Sequence, residues 1–211
     1  MKKFTAWMAA MLLVGTTMAQ AETVAPDVLI KNTVQDVLEI VRQDKDIKAG
    51  NQKKILELVD AKVLPHFDFN RMTQLAVGKN WRTATPEQKK RLITEFRNLL
   101  VRTYTKAFTA YSDQVVEVKP FKMPADATEV TVKTVISKQG EQPTAVDYDM
   151  EKTPTGWKAY DLSVEGVSLV TSYRSTFSEQ IQKGGIDGLI NTLAEKNQAA
   201  ATAPMRKTDA K

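Results

Sequence analysis

Cysteine is absent from all 211 residues, and histidine occurs once, as His66. The first absence excludes disulfides, thiolate nucleophiles, Cys-type metal sites and a lipid anchor on an N-terminal cysteine. The second leaves too few soft ligands to converge on a metal, so no metal site is expected. No G-x-S-x-G elbow, Walker A loop or G-x-G-x-x-G turn occurs in the sequence, so the common signatures of serine hydrolases and nucleotide binders are missing. Lys and Arg outnumber Asp and Glu by 30 to 25, a formal net charge of +5. They form no basic cluster interleaved with aromatics, and nucleic acid is not an expected partner. No apolar run reaches the ~20 residues that a membrane-spanning helix needs.

What is present begins with a leader. "MKKFTAWMAAMLLVGTTMAQA" has Lys2 and Lys3, an apolar run from Phe4 to Val14, and the small-residue exit Ala19-Gln20-Ala21. These are the three parts of a secretory signal peptide, with cleavage expected after Ala21. Residues 22–198 are then expected to form one α+β domain, and the small, polar stretch 199–211 a disordered tail.

Helical spacing opens the domain. Val34, Val37, Leu38 and Val41 recur on one face, as do Ile55, Leu58, Val59 and Val63 before Pro65. "DFNRMTQLAVGKN" predicts a short helix capped by Asp68 and ended by Gly78. "TPEQ" predicts a capping box from Thr85 to Gln88, with Pro86 at the first helical position. The helix that follows carries Leu92, Phe96, Leu99, Leu100, Thr103, Ala107, Phe108 and Tyr111 along its stripe.

The period then changes to two. Val116 and Val118; Val130, Val132 and Ile136; Val146, Tyr148 and Met150; and Tyr160, Leu162 and Val164 alternate with polar neighbours. Four strands joined by "KQGEQP" and "KTPTGW" predict an antiparallel meander with one apolar face. Gly166 is expected to return the chain to helix. Val170, Tyr173, Phe177 and Ile181 form the next stripe, ended at Gly184 and Gly185, and Leu189, Ile190 and Leu193 mark a last helix. The fold class is therefore α+β, a four-stranded sheet covered on its apolar face by helices. The helix from Pro86 and the helix after Gly166 are the expected covers.

Candidate sites are more apolar than polar. His66 with Asp68 is the single pair that could offer a general base. Asp161 and Glu165 read as solvent-facing or capping groups. Met72 of the short helix, Phe96, Leu100, Tyr104 and Phe108 of the long one, and Val167, Val170, Tyr173 and Phe177 after the sheet face inward. On the sheet, the inward set is Val132, Val146, Tyr148, Met150, Tyr160, Leu162 and Val164. Periodicity leaves open whether these walls meet as a close-packed core or stand apart around a ligand.

Two long blocks carry a resemblance. "VLPHFDFNRMTQLAVGKNWRTATPEQKKRLITEFRNLLVRTYTKAF" and "GWKAYDLSVEGVSLVTSYRSTFSEQIQKGGIDGLINTL" resemble the MlaC/toluene-tolerance family, over roughly Val28 to Leu193. The resemblance implies a periplasmic phospholipid carrier with an NTF2-like sheet. It implies two partners, an outer-membrane lipoprotein complex and an inner-membrane ABC transporter with a lipid-binding hexamer. It also implies a monomer that uses no cofactor and no chemical step. On that reading the inward residues above line a lipid pocket, Asp161 and Glu165 stay outside, and Arg174 is a candidate for the headgroup at the mouth. A carrier of another hydrophobic molecule, or an NTF2-like hydrolase using His66, are the alternatives. Two tails are expected to need space near the upper end of the ~300–1,000 Å³ range of ligand pockets.

Overall fold

The computed structural model describes residues 24–110 and 114–202, apart from the side chains of 106–110 and 200–202. Residues 1–23, with the expected leader, and residues 203–211 of the expected tail lie outside the described residues, as do Tyr111 and the Phe108 side chain.

Pro26 starts α1 (Pro26–Gln43), where its missing N–H removes no helical bond. Asp44 ends it by leaving helical geometry, and its carboxylate accepts from the Asp46 and Ile47 N–H groups to cap α2 (Lys45–Lys48). Asn51 caps α3 (Gln52–Lys62) through the Lys54 N–H. Asp68 caps α4 (Phe69–Val77) through the Arg71 N–H at 2.9 Å, and Gly78, at φ 63°, ends it. The Thr85–Gln88 capping box opens α5 (Pro86–Ala110): Gln88 N–H donates to Thr85 Oγ1, and Thr85 N–H to Gln88 Oε1. The Asp68 cap, the Gly78 stop and the Thr85–Gln88 box follow the sequence reading, because capping depends on chemistry within one turn; α2, with its Asp44 cap, stands where that reading has only a polar break between helices.

The sheet is antiparallel throughout, in the order β1 (Val115–Val118), β2 (Glu129–Ser137), β3 (Thr144–Thr153), β4 (Gly156–Val164) and β5 (Val167–Ser168). Five strands replace the expected four. Glu165 and Gly166 both take positive φ, 50° and 77°, as a two-residue primed hairpin turn requires. The chain therefore doubles back as β5 before helix resumes. The last helix, α6 (Arg174–Thr202), breaks its helical geometry at Gly185, φ 68°. The two-helix reading survives as two halves of a kinked element, and the second half runs into the segment assigned to the tail.

Burial separates three apolar clusters. Met72, Leu92, Phe96, Val170, Phe177 and Leu189 belong to a helical core of α4, α5 and α6. Ile30 of α1 joins Val132, Met150, Trp157 and Ala159 of the sheet in a second. Val37, Val41, Ile47, Ile55 and Leu58 tie α1, α2 and α3 together in a third. The expected covering of the sheet is thus corrected. The helix after Gly166 packs on α5 and α4, and α1 lies against β1, β2 and β4 in its place.

Candidate functional site

One β-bulge decides which side chains the sheet presents. The register runs Val146↔Val164, Tyr148↔Leu162 and Asp149↔Asp161, then shifts so that Met150 pairs with Ala159. Tyr160 is the unmatched extra residue. A strand alternates its faces, so one extra residue exchanges them. Trp157 and Ala159 are buried before the bulge, and Leu162 faces inward after it. The uninterrupted alternation that puts Tyr160 with Leu162 and Val164 is corrected. Tyr160 lies under the Arg71 guanidinium, 3.7 Å from the ring centre, and its hydroxyl donates to Glu129 at 3.2 Å. Arg71 also bridges Glu129 and Glu151, at 2.8 and 2.5 Å. Burial and the Glu129 charge push the Tyr160 hydroxyl up to about 12.

Between the inner sheet face and the helices lies a cavity of about 320 Å³. This is the lower end of the usual pocket range rather than the upper. From the candidate set, Met72, Leu100, Tyr104, Val146, Tyr148 and Leu162 line it. The others stand elsewhere. Phe96, Tyr173 and Phe177 form an aromatic triangle in the helical core, with Phe96 edge-on to both partners at 5.2 Å. Val170 is fully buried in the same core. Val132 and Met150 are buried in the sheet cluster. Val164 is half-buried at the end of β4, and Val167 is 62% exposed. Phe108 lies outside the described side chains.

The α1 face Ile30, Val34, Val37, Leu38 and Val41 completes the opposite wall, with Val59 and Val63 of α3. Sequence reading finds that α1 stripe but does not assign it to the site. Its signal was the period itself, which names a buried face and not its partner. Phe67 and Phe69 close another side, held where Asp68 N–H donates to the Ala159 carbonyl at 2.9 Å.

Of the charged groups, Asp161 meets one of its two expected readings and Arg174 departs from its own. Asp161 is 5% exposed. Its carboxylate accepts from Leu162 N–H at 2.7 Å, Val170 N–H at 3.2 Å and the Ser168 hydroxyl. Of the two readings, solvent-facing and capping, capping is the one it satisfies: it fixes the β4–β5 hairpin and the return to helix. Arg174 lies away from the cavity. Its guanidinium donates twice to the Leu75 carbonyl, at 3.0 and 2.9 Å, beside Gly78.

Few polar groups reach the cavity. Thr33, His66, Thr105 and Gln114 line it alongside the two tyrosines. Burial pushes the Tyr148 hydroxyl up to about 12, and burial with the Tyr173 neighbour does the same for Tyr104. Both therefore stay neutral at physiological pH. No hydrogen bond joins His66 to Asp68 among the described residues, and Asp68 is committed to the α4 cap. Burial, with the nearby Lys158 charge, holds the His66 imidazole below its ordinary value.

That shift has a sign that can be checked. The unfolded chain takes up the His66 proton first, near the reference value of about 6.5, and the folded protein only at lower pH. Stability is then expected to fall as pH drops through that window and to level off below the folded value. Urea unfolding midpoints from neutral to mildly acidic pH should show this loss, and His66→Leu should flatten it. An unchanged slope in the variant would remove His66 as its source.

The arrangement can enclose hydrocarbon, and among the described residues that line it no nucleophile, base and orienting acid are hydrogen-bonded together. Comparison with known proteins agrees in fold. The phospholipid-binding protein from Ralstonia solanacearum, solved in complex with a phospholipid, superposes with a TM-score of 0.77 at 41% identity, covering 83% of this chain and 98% of that one. The toluene tolerance protein ttg2D of Pseudomonas putida is 24% identical over 85% of this chain and 86% of its own length. The intermembrane phospholipid transport system binding protein MlaC of Haemophilus influenzae is 24% identical over 90% and 88%. A family model described as MlaC protein matches residues 31–195. That span runs from α1 through the sheet into the second half of α6, and the chain belongs to the MlaC family.

Proposed function

We propose that this chain is a periplasmic phospholipid carrier, holding acyl tails in the cavity between α1, α3, α4, α5 and the sheet. The observation that carries the reading is the cavity itself, about 320 Å³ with an almost wholly apolar lining. As a dry void it would cost about 8 kcal/mol at ~24 cal/mol per Å³. That rivals the ~5–15 kcal/mol stability of a whole domain. A wall so expensive to leave unfilled fits a protein whose partner is hydrocarbon.

The converse energy is larger. A lipid with two sixteen-carbon tails exposes about 30 methylenes, and at ~0.8 kcal/mol each their hydration costs roughly 24 kcal/mol. Moving such a molecule through water requires enclosure and no chemical step, and a cavity of about 320 Å³ has to widen to take both tails. The phospholipid in the Ralstonia protein and the transport role named for the Haemophilus relative support this ligand class. The sequence of 1–21 supports export. The outer-membrane lipoprotein complex and the inner-membrane ABC transporter with its lipid-binding hexamer are the proposed donor and acceptor. Met72, Leu100, Tyr104, Val146, Tyr148 and Leu162, with the α1 stripe, are the proposed tail contacts.

The test is organic extraction and mass spectrometry of freshly purified protein, followed by incubation with phospholipid vesicles. Phospholipid at about one molecule per chain is the expected result. A protein that yields none, and takes up none from vesicles, is not a phospholipid carrier.

A further inference from the structure

Positive charge is spread unevenly along the chain. Residues 79–91 hold Lys79, Arg82, Lys89, Lys90 and Arg91 against a single acid, Glu87, an excess of four where the whole chain has five. Along the sequence these cations are divided between a 3-10 helix, Gly78–Arg82, and the start of α5. The fold brings the two stretches together, with Lys89 Nζ 5.4 Å from the centre of the Trp81 ring. The expectation of no basic cluster is corrected to that extent. Lys79, Arg82, Lys90 and Arg91 are exposed, and Lys89 is half-buried. None of the five has an acidic partner within ion-pair distance among the described residues. Asp187 of α6 reaches the start of α5, where it accepts from the Gln88 side chain at 3.0 Å. Counting it, the patch keeps five cations to two acids.

The surroundings select among polyanions. Nucleic acid would need rings free to stack on bases, and Trp81 is half-buried against the helical core. An acidic protein would need an apolar centre to its interface. The large exposed apolar side chains of the described residues are Val24, Val28, Val115, Met123 and Val167, and none lies in residues 78–91. A bilayer with anionic headgroups needs charge alone. The patch is also close to the cavity. Met72 of α4 and Leu100 of α5 line the cavity, and each lies within roughly 15 Å of the patch along its helix.

We propose that Lys79, Arg82, Lys90 and Arg91, with Lys89 braced on Trp81, form a docking surface for bilayers rich in anionic phospholipid. Charge holds the protein at the headgroups without insertion, with the α4–α5 side of the cavity toward the membrane. This rests on the phospholipid-carrier reading above and adds to it a direct membrane contact.

Flotation of the mature protein with vesicles tests it. Binding to mixed phosphatidylglycerol–phosphatidylcholine vesicles is expected, falling as salt is raised, with none to phosphatidylcholine alone. Arg82→Gln combined with Lys90→Gln should weaken that binding about thirtyfold. Lys45→Gln combined with Lys48→Gln removes the same charge from exposed positions of α2. At ~0.1 M salt, where charges more than ~10 Å away are screened, that second pair should leave binding nearly unchanged. All four positions are exposed, so urea midpoints should hold, and extraction should find as much bound phospholipid as before.

An unaltered protein that does not float with anionic vesicles overturns the proposal, as does equal weakening by the two pairs. Binding of poly-glutamate but not of anionic vesicles would assign the patch to an acidic protein and also overturn it. A protein that floats, yet yields and takes up no phospholipid, refutes the carrier reading and leaves the docking surface standing.

Discussion

Leu162→Glu is expected to yield a folded protein from which phospholipid is all but absent, with retention down at least a hundredfold. Leu162 stands opposite Tyr148 in the middle of the sheet wall, one strand from Leu169, and its side chain meets the cavity. A carboxylate there can be hydrated when water enters, so folding bears only part of the burden. Tails packed against it would strip that water. Desolvating an ion costs several kcal/mol even after the protein relaxes, and each 1.4 kcal/mol is a factor of ten in affinity. Leu162→Gln, polar but uncharged, should fall between. Circular dichroism and urea unfolding establish that the variant folds, and lipid extraction gives the result. Retention equal to the unaltered protein would show that tails do not lie against β4.

Phe96→Ala should behave in the opposite way. Phe96 is fully buried and touches Tyr173 and Phe177 edge-on, in a helical core that shares Met72 and Leu100 with the cavity wall, and its own side chain does not line the cavity. Truncating a buried phenylalanine to alanine costs about 3–5 kcal/mol, a large share of the ~5–15 kcal/mol available to a domain. At ~2–4 °C per kcal/mol for a chain of this size, the melting temperature should drop by about 6–20 °C. Lipid held per folded molecule should stay constant well below that temperature, because the Phe96 side chain is not part of the cavity wall. Calorimetry and lipid extraction on the same sample separate the two quantities. A variant that melts normally but loses its lipid would mean that the aromatic triangle is part of the binding site.

These two expectations contrast because residues that look alike along the chain stand in different places. Phe96 and Leu100 are one helical turn apart on the same stripe of α5 and both belong to the helical core, yet of the two only Leu100 also lines the cavity. Tyr160 and Leu162 share a period-two pattern, but the bulge sends them to opposite faces. Val170, Tyr173 and Phe177 form a convincing stripe whose partner is α5 rather than the sheet. A period identifies a buried face. It carries no information about the distance to whatever covers that face.

Local chemistry was legible in advance. The Asp68 cap, the Thr85–Gln88 box, the break at Gly185 and the first four strands depend on residues within a few positions of one another. The sequence by itself determined these elements, the α+β class and the family. Only the tertiary structure decided that α1 forms the opposite wall, that the bulge selects Leu162 over Tyr160, and that Trp81 and Lys89 join two basic stretches in one patch. The reason is physical: whether two apolar faces interlock or stand apart depends on contacts between segments far separated along the chain, and both outcomes demand the same oily residues.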